Sequence, residues 1–137
     1  MYSIKLKSIN KEQRIAGAVS LVLTMIAVTP LCGFFFQCGC DWPWLGLDSG
    51  CNYYRSASLY RCPWCVSLTS GIVSAGLAVI AAVLTSIALP TFVRQPLYDM
   101  VIRIVFALSA FAMVALVTAA WAAWVQAYPL GIGRYLS

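Results

Sequence analysis

Three long stretches without a charged residue constrain the fold of this chain more than any other feature. They run over 15–36, 62–93 and 104–133. Each is longer than the roughly 20 apolar residues that carry an α-helix across a bilayer core of about 30 Å. With 62% hydrophobic and 9% charged residues, the chain is typical of polytopic membrane proteins rather than soluble domains. We therefore predict an all-α integral membrane protein with three transmembrane helices.

Charges and prolines set the predicted boundaries of these helices. We predict transmembrane helices at 15–36, 62–89 and 100–128. The segments around them are a basic N-terminus at 1–14, a Cys- and Trp-rich cap at 37–61, a turn at 90–99 and a C-terminal tail at 129–137. Two prolines in the turn stop one helix before the next begins.

The basic residues indicate which side of the membrane each segment occupies. With the N-terminus in the cytoplasm, six basic residues face inward and three face outward: Lys5, Lys7, Lys11, Arg14, Arg94 and Arg103 against Arg55, Arg61 and Arg134. The positive-inside rule favours this orientation. Cysteine clusters persist as disulfides in oxidising compartments, which agrees with an outward-facing cap. We predict a bacterial inner-membrane protein whose cysteine loop faces the periplasm. No basic stripe is interleaved with aromatic residues, so we predict no nucleic-acid binding.

All the cysteines of the chain fall within 32–65. They are Cys32, Cys38, Cys40, Cys51, Cys62 and Cys65. An even number in an oxidising compartment predicts disulfide bonds, but the sequence does not choose among the pairings. A bridge from Cys38 to Cys40 would close a very small strained ring, so we expect these two residues to have different partners. A bridge from Cys32 to Cys62 or Cys65 would tie the first helix to the loop.

Aromatic and small residues suggest contacts with other proteins. The aromatic candidates in the cap are Trp42, Trp44, Tyr53 and Tyr54. Small residues that let another helix approach closely recur every four positions along the second and third helices, and include Ser74, Ala78, Ala82, Ala115 and Ala119. These rows either pack on each other or dock a partner. We predict an accessory subunit of a larger membrane complex, such as a respiratory or photosynthetic assembly. Its expected partners are other integral-membrane subunits, the lipid bilayer and a periplasmic protein.

The segment Cys62-Pro63-Trp64-Cys65 suggests an alternative function. In a CxxC pair at a helix N-terminus, the helix dipole stabilises the first thiolate. At the outer end of a membrane helix, this pair resembles the quinone-linked thiol oxidases, namely the disulfide-bond B proteins and the vitamin K epoxide reductases. The resemblance implies a thiol-disulfide oxidoreductase with Cys62 and Cys65 as catalytic residues, a second pair from the loop, and quinone as cofactor. It covers only this motif, and those families use at least four helices where we predict three.

A metal site has weaker support in the sequence. Cys62 and Cys65 have the spacing of a zinc half-site, but a second CxxC is missing and Cys38-Gly39-Cys40 has one residue too few. The chain contains no histidine, which removes the commonest metal partner and the usual general base. An oxidising compartment also opposes thiolates. We therefore predict no metal, and no cofactor apart from the quinone of the alternative function.

Two further patterns lie at the ends of the third helix. Asp99 and Arg103 are four residues apart at its start and can pair on one face, where we expect a solvated interfacial pair. Trp121, Trp124 and Tyr128 near its outer end predict an aromatic belt at the membrane interface.

Overall fold

The computed structural model describes residues 9–47 and 49–136, apart from the side chain of residue 68. Within this part of the chain, three helices are long and apolar enough to cross a membrane. They are α1 (Lys11–Phe36), α3 (Leu68–Ala88) and α4 (Pro96–Val125). A one-turn helix, α2 (Pro63–Val66), precedes α3. Short 3-10 turns occur at Pro43–Leu45 and Gly131–Tyr135. The predicted all-α fold is confirmed for these residues, and so are three helices long and apolar enough to cross a membrane. The orientation in the membrane stays a prediction.

Helix α1 begins four residues before the start predicted from the uncharged stretch. Asn10 is its N-cap, and the backbone N–H of Asn10 donates to Oε1 of Gln13 at 2.9 Å. Such a capping contact satisfies one of the backbone groups left free at a helix start. The helix therefore includes polar residues that precede its membrane-crossing part, and it ends at Phe36, where the predicted crossing also ends.

The predicted second crossing is interrupted near its start. Ser67 has an extended backbone with φ −115° and ψ 107°, and it separates α2 from α3. The Ser67 hydroxyl accepts a hydrogen bond from the backbone N–H of Ser70 at 3.2 Å, so it caps the new helix. The Cys62 to Cys65 pair therefore lies on a separate turn of four residues. Cys62 is thus the N-cap of this short helix and not, as predicted, the first residue of the long membrane helix.

Helix α4 begins at Pro96, earlier than predicted, and the Asp99 and Arg103 pair forms within its first turns. Nε of Arg103 lies 2.7 Å from Oδ2 of Asp99. The pair is buried rather than solvated, with the two side chains only 1% and 5% exposed. Burial is tolerated because both groups have further partners. Arg103 donates to the carbonyl oxygens of Ser86 and Leu89 at the end of α3, and Asp99 accepts from the N–H of Phe92.

The small residues of the second and third crossings are buried in the chain's own helix packing. Helix α3 packs on α4, and α1 contacts both. The buried residues include Ser74, Ala78, Ala82, Ala115 and Ala119. Small side chains allow the close approach that makes these contacts. The rows are thus used for packing inside the three-helix unit, and the docking of a partner on them stays a prediction.

Candidate functional site: a cluster of six cysteines

The six cysteines converge at one end of the helix bundle, although they come from separate parts of the chain. Cys32 lies on α1, and Cys38, Cys40 and Cys51 belong to the cap. Cys62 is the N-cap of α2, and Cys65 lies within α2. Five of the side chains are buried, and Cys65 is half-buried. We refer to these six residues as the cysteine cluster.

The sulfur atoms of the cluster lie close to one another as free thiols. The shortest separation, 3.2 Å, is between the sulfurs of Cys32 and Cys62. The Cys38 and Cys40 sulfurs are 3.4 Å apart, and the Cys32 to Cys38 and Cys51 to Cys65 separations are both 3.7 Å. A disulfide bond is about 2.05 Å long. The disulfides expected from the sequence therefore stay a prediction.

The sulfurs form four groups of three, and the atoms of each group lie within 4.8 Å of one another. The groups are Cys32, Cys62 and Cys65; Cys32, Cys38 and Cys40; Cys38, Cys51 and Cys62; and Cys40, Cys51 and Cys65. Each cysteine belongs to two groups, and any two groups share one cysteine. The arrangement is a continuous shell and not a set of separate pairs. Spacing along the chain did not reveal this grouping of the sulfurs, because it depends on contacts between distant segments.

Asn52 connects this shell to the rest of the protein, and the sequence analysis did not single it out. Its backbone N–H donates to the carbonyl of Cys38 at 2.6 Å. Its side-chain oxygen accepts from the N–H of Cys62 at 2.8 Å, and its side-chain nitrogen donates to the hydroxyl of Tyr128 at 3.0 Å. An asparagine directly after a cysteine in an irregular segment was the only local signal.

Tyr128 was expected in an interfacial belt, but it is only 4% exposed. Its hydroxyl donates to the carbonyl of Phe36 at 2.9 Å, and its ring meets the Phe36 ring edge-on. Burial raises the pKa of Tyr128 to about 12. The residue thus links the end of α4 to the end of α1 and, through Asn52, to the cysteine cluster. Trp121 and Trp124 are exposed, as expected for belt residues.

The backbone of the cap is folded tightly between the cysteines. Gly39 has φ +86°, and a Cβ atom at this position would collide with the carbonyl oxygen of Gly50. Glycine adopts this left-handed conformation at little cost. The close approach brings the Cys38 to Cys40 segment beside Cys51.

The thiols experience different local environments within the cluster. Burial raises the pKa of Cys51 to about 11. The neighbouring thiols, that of Cys32 first, hold the pKa of Cys65 below its ordinary value. Cys65 is also the most exposed member, so a reagent or an ion reaches the cluster most readily at this residue.

The outer surface of the cap displays two stacked indoles. The Trp42 and Trp44 ring centroids are 5.1 Å apart with an interplanar angle of 15°. Trp44 is 67% exposed and Trp42 is 39% exposed. The rings of the adjacent residues Tyr53 and Tyr54 pack edge-on against each other. The Arg61 guanidinium lies 5.7 Å from the centre of the Tyr53 ring.

An apolar cavity of about 310 Å³ adjoins the cysteine cluster between α1 and α3. Its lining includes Cys32, Cys40, Cys65, Thr29 and Trp64. Within the described part of the chain, the Thr29 hydroxyl and the Trp64 indole N–H are buried without a hydrogen-bond partner. Such groups are costly to bury without a partner.

Comparison of the chain with known protein families, with curated proteins and with solved structures finds no match.

Proposed function

We propose that the protein is a small accessory subunit of a larger integral-membrane complex, and that it contributes the cysteine cluster to this complex. The observation that carries the proposal is the convergence of six cysteine sulfurs beside the C-terminal end of α1. The hydrogen bond from Asn52 to Tyr128 and the one from Tyr128 to the end of α1 fix the cap, and with it the cluster, to the helix bundle.

The cluster is better suited to holding a ligand than to processing a protein substrate. Five of its six cysteines are buried, so an external polypeptide cannot reach their sulfurs while the cap is folded. The sequence contains no histidine to act as a general base. A mostly buried set of thiols suits a centre that acts within an assembly.

The stacked indoles provide a surface for the assembly. Trp42 and Trp44 are exposed in the cap, outside the three membrane-spanning helices. Tryptophan is enriched where protein interfaces have their strongest contacts. The partner that fits this surface is the extramembrane part of another integral-membrane subunit, on the side that we assign to the periplasm.

Native gel electrophoresis after gentle solubilisation tests this proposal. We expect the chain to migrate within a larger species, and Trp44→Ala to release it from that species. Leu59→Ala is the matched control, because it removes an exposed apolar side chain of the cap without touching the indoles. A wild-type chain that migrates alone, near 15 kDa plus detergent, would contradict the proposal (the chain itself is 14.9 kDa).

The cavity beside the cluster favours a second candidate function, a quinone-linked thiol-disulfide oxidoreductase. Its lining joins three cysteines to Thr29 and Trp64, whose hydroxyl and indole N–H are buried without a partner among the described residues. These two groups would donate to quinone carbonyl oxygens once a bound quinone displaces the side chains that cover them. In this reaction the Cys62 and Cys65 thiols form a disulfide and lose two electrons and two protons, which the quinone takes up to become a quinol. An external dithiol, acting through a loop cysteine pair, then reduces the disulfide and is itself oxidised.

Quinone reduction by the purified chain, with a dithiol as reductant, tests this second function. We expect Cys65→Ser to abolish turnover and Thr29→Val to raise the KM for quinone. Thr69→Val is the control, since Thr69 is exposed and lies away from this cavity. Turnover that persists in Cys65→Ser would exclude the function.

A further inference from the structure

We propose that the cysteine cluster binds four copper(I) ions as one thiolate-bridged cage. This inference deepens the proposed function and rests on it for the role of the cluster within an assembly. It concerns the chemistry of the cluster itself, so it is tested on the isolated chain.

The connectivity of the sulfurs carries the argument. The six sulfurs make four groups of three, every cysteine belongs to two groups, and every two groups share one cysteine. If one metal ion occupies each group, each ion has three thiolate ligands and each thiolate bridges two ions. This is the connectivity of a four-metal, six-thiolate cage, in which the metals form a tetrahedron and the sulfurs lie along its edges. Three independent disulfides would need only three separate pairs.

The distances agree with trigonal metal sites. A metal–thiolate bond is about 2.3 Å long, so a metal centred among three sulfurs needs them about 4.0 Å apart. The closest pairs of the cluster are 3.2 to 3.7 Å apart, and every group stays within 4.8 Å. Small movements of the side chains would bring each group to the required spacing.

The coordination number selects copper(I) over zinc. Zinc is four-coordinate in structural sites. The groups found among the described residues contain three sulfurs and no more, and the sequence has no histidine to supply a fourth ligand. Copper(I) is a soft ion that prefers thiolates and accepts three ligands. An iron–sulfur cluster places irons and sulfides between its cysteines, and it would need these sulfurs further apart.

The charge and the burial of the cluster also suit copper(I). Six thiols release six protons as they bind four monovalent ions, which leaves the cage with a charge of −2 and no change in oxidation state. Four divalent ions would leave a charge of +2 in a site whose cysteines are mostly buried. Exclusion of water protects copper(I) from oxidation. The half-buried Cys65 marks the entry to the cluster.

Anaerobic titration of the reduced, full-length chain in detergent tests the inference. Copper(I) is supplied as its complex with a chromophoric chelator, and bound metal is counted by mass spectrometry. We expect a ratio of four copper ions per chain and the emission typical of copper(I)–thiolate cages. X-ray absorption should show three sulfur neighbours per copper and a short copper–copper distance. A ratio of one copper ion per chain would overturn the proposal, and so would displacement of the bound copper by zinc. So would three disulfides that resist mild reductant in native membranes.

Serine variants test the sharing of cysteines between groups. Every single Cys→Ser change removes two of the four groups, so Cys51→Ser and Cys40→Ser should each lower the ratio from four to two. Loss of only one ion would refute the bridged cage. Ser49→Ala is the control within the cap and should retain four ions. Circular dichroism shows whether each variant folds. If a variant does not fold, the X-ray absorption spectrum of the wild-type chain tests whether each copper has three sulfur neighbours. Four ions bound by a chain that migrates alone would refute the accessory role and leave the cage intact.

Discussion

Tyr128→Phe tests how the cap is held on the helices. The substitution removes one oxygen, which donates to the Phe36 carbonyl at 2.9 Å and accepts from the Asn52 side chain at 3.0 Å. The ring remains, so its edge-on contact with Phe36 at 5.8 Å is retained. Each hydrogen bond contributes about 1 kcal/mol net, so the cap should lose about 2 kcal/mol of stability against local opening.

Labelling of the cysteines measures this opening. Cys51 and Cys62 are fully buried, so a bulky maleimide reaches them only when the cap opens. When closing is faster than labelling, the labelling rate follows the open population. A loss of about 2 kcal/mol should therefore raise the labelling rate of reduced membranes about 30-fold.

Tyr135→Phe is the matched control, because it removes the same oxygen from a side chain that is 85% exposed. Its labelling rate should equal that of the wild type. Our account of the cap would be refuted if Tyr128→Phe and Tyr135→Phe label at the same rate. Asn52→Ala gives an independent check, since it should by itself increase the labelling rate. Adding Tyr128→Phe to Asn52→Ala should then raise the rate by less than Tyr128→Phe does in the wild-type chain.

Three other predictions follow from the helix ends. Asp99→Asn leaves the buried Arg103 without its charged partner and should cost about 3–5 kcal/mol, visible as a lower unfolding midpoint in detergent; an unchanged midpoint would contradict the burial of the pair. Gly131→Ala should lower thermal stability, because φ is +56° there and a Cβ would collide with backbone, whereas Gly76→Ala meets open space and should be neutral or stabilising. Burial raises the pKa of Tyr128 to about 12, so its stabilising effect should persist below pH of about 10 and disappear towards 12; tryptophan fluorescence should show a weaker alkaline loss in Tyr128→Phe.

Local sequence signals identified the helices but not all of their ends. The uncharged stretches located the three crossings, because length and hydropathy suffice for that purpose. The pair of Asp99 and Arg103 could also be predicted, since residues four apart on a helix are neighbours. The burial of this pair could not be predicted, because the carbonyl oxygens that Arg103 contacts belong to the end of another helix. The break at Ser67 was missed, since hydropathy alone does not distinguish a cap from a continuing helix.

The cysteine cluster shows where sequence reasoning stops. The sequence by itself determined that three segments are long and apolar enough to cross a membrane, because the transfer of each segment into lipid depends on that segment's own composition. It also placed every cysteine within one stretch. Only the tertiary structure decided that the sulfurs form a single shell and that Asn52 and Tyr128 hold the cap to the helices. These features depend on contacts between segments far apart in the chain, which no spacing along the sequence records.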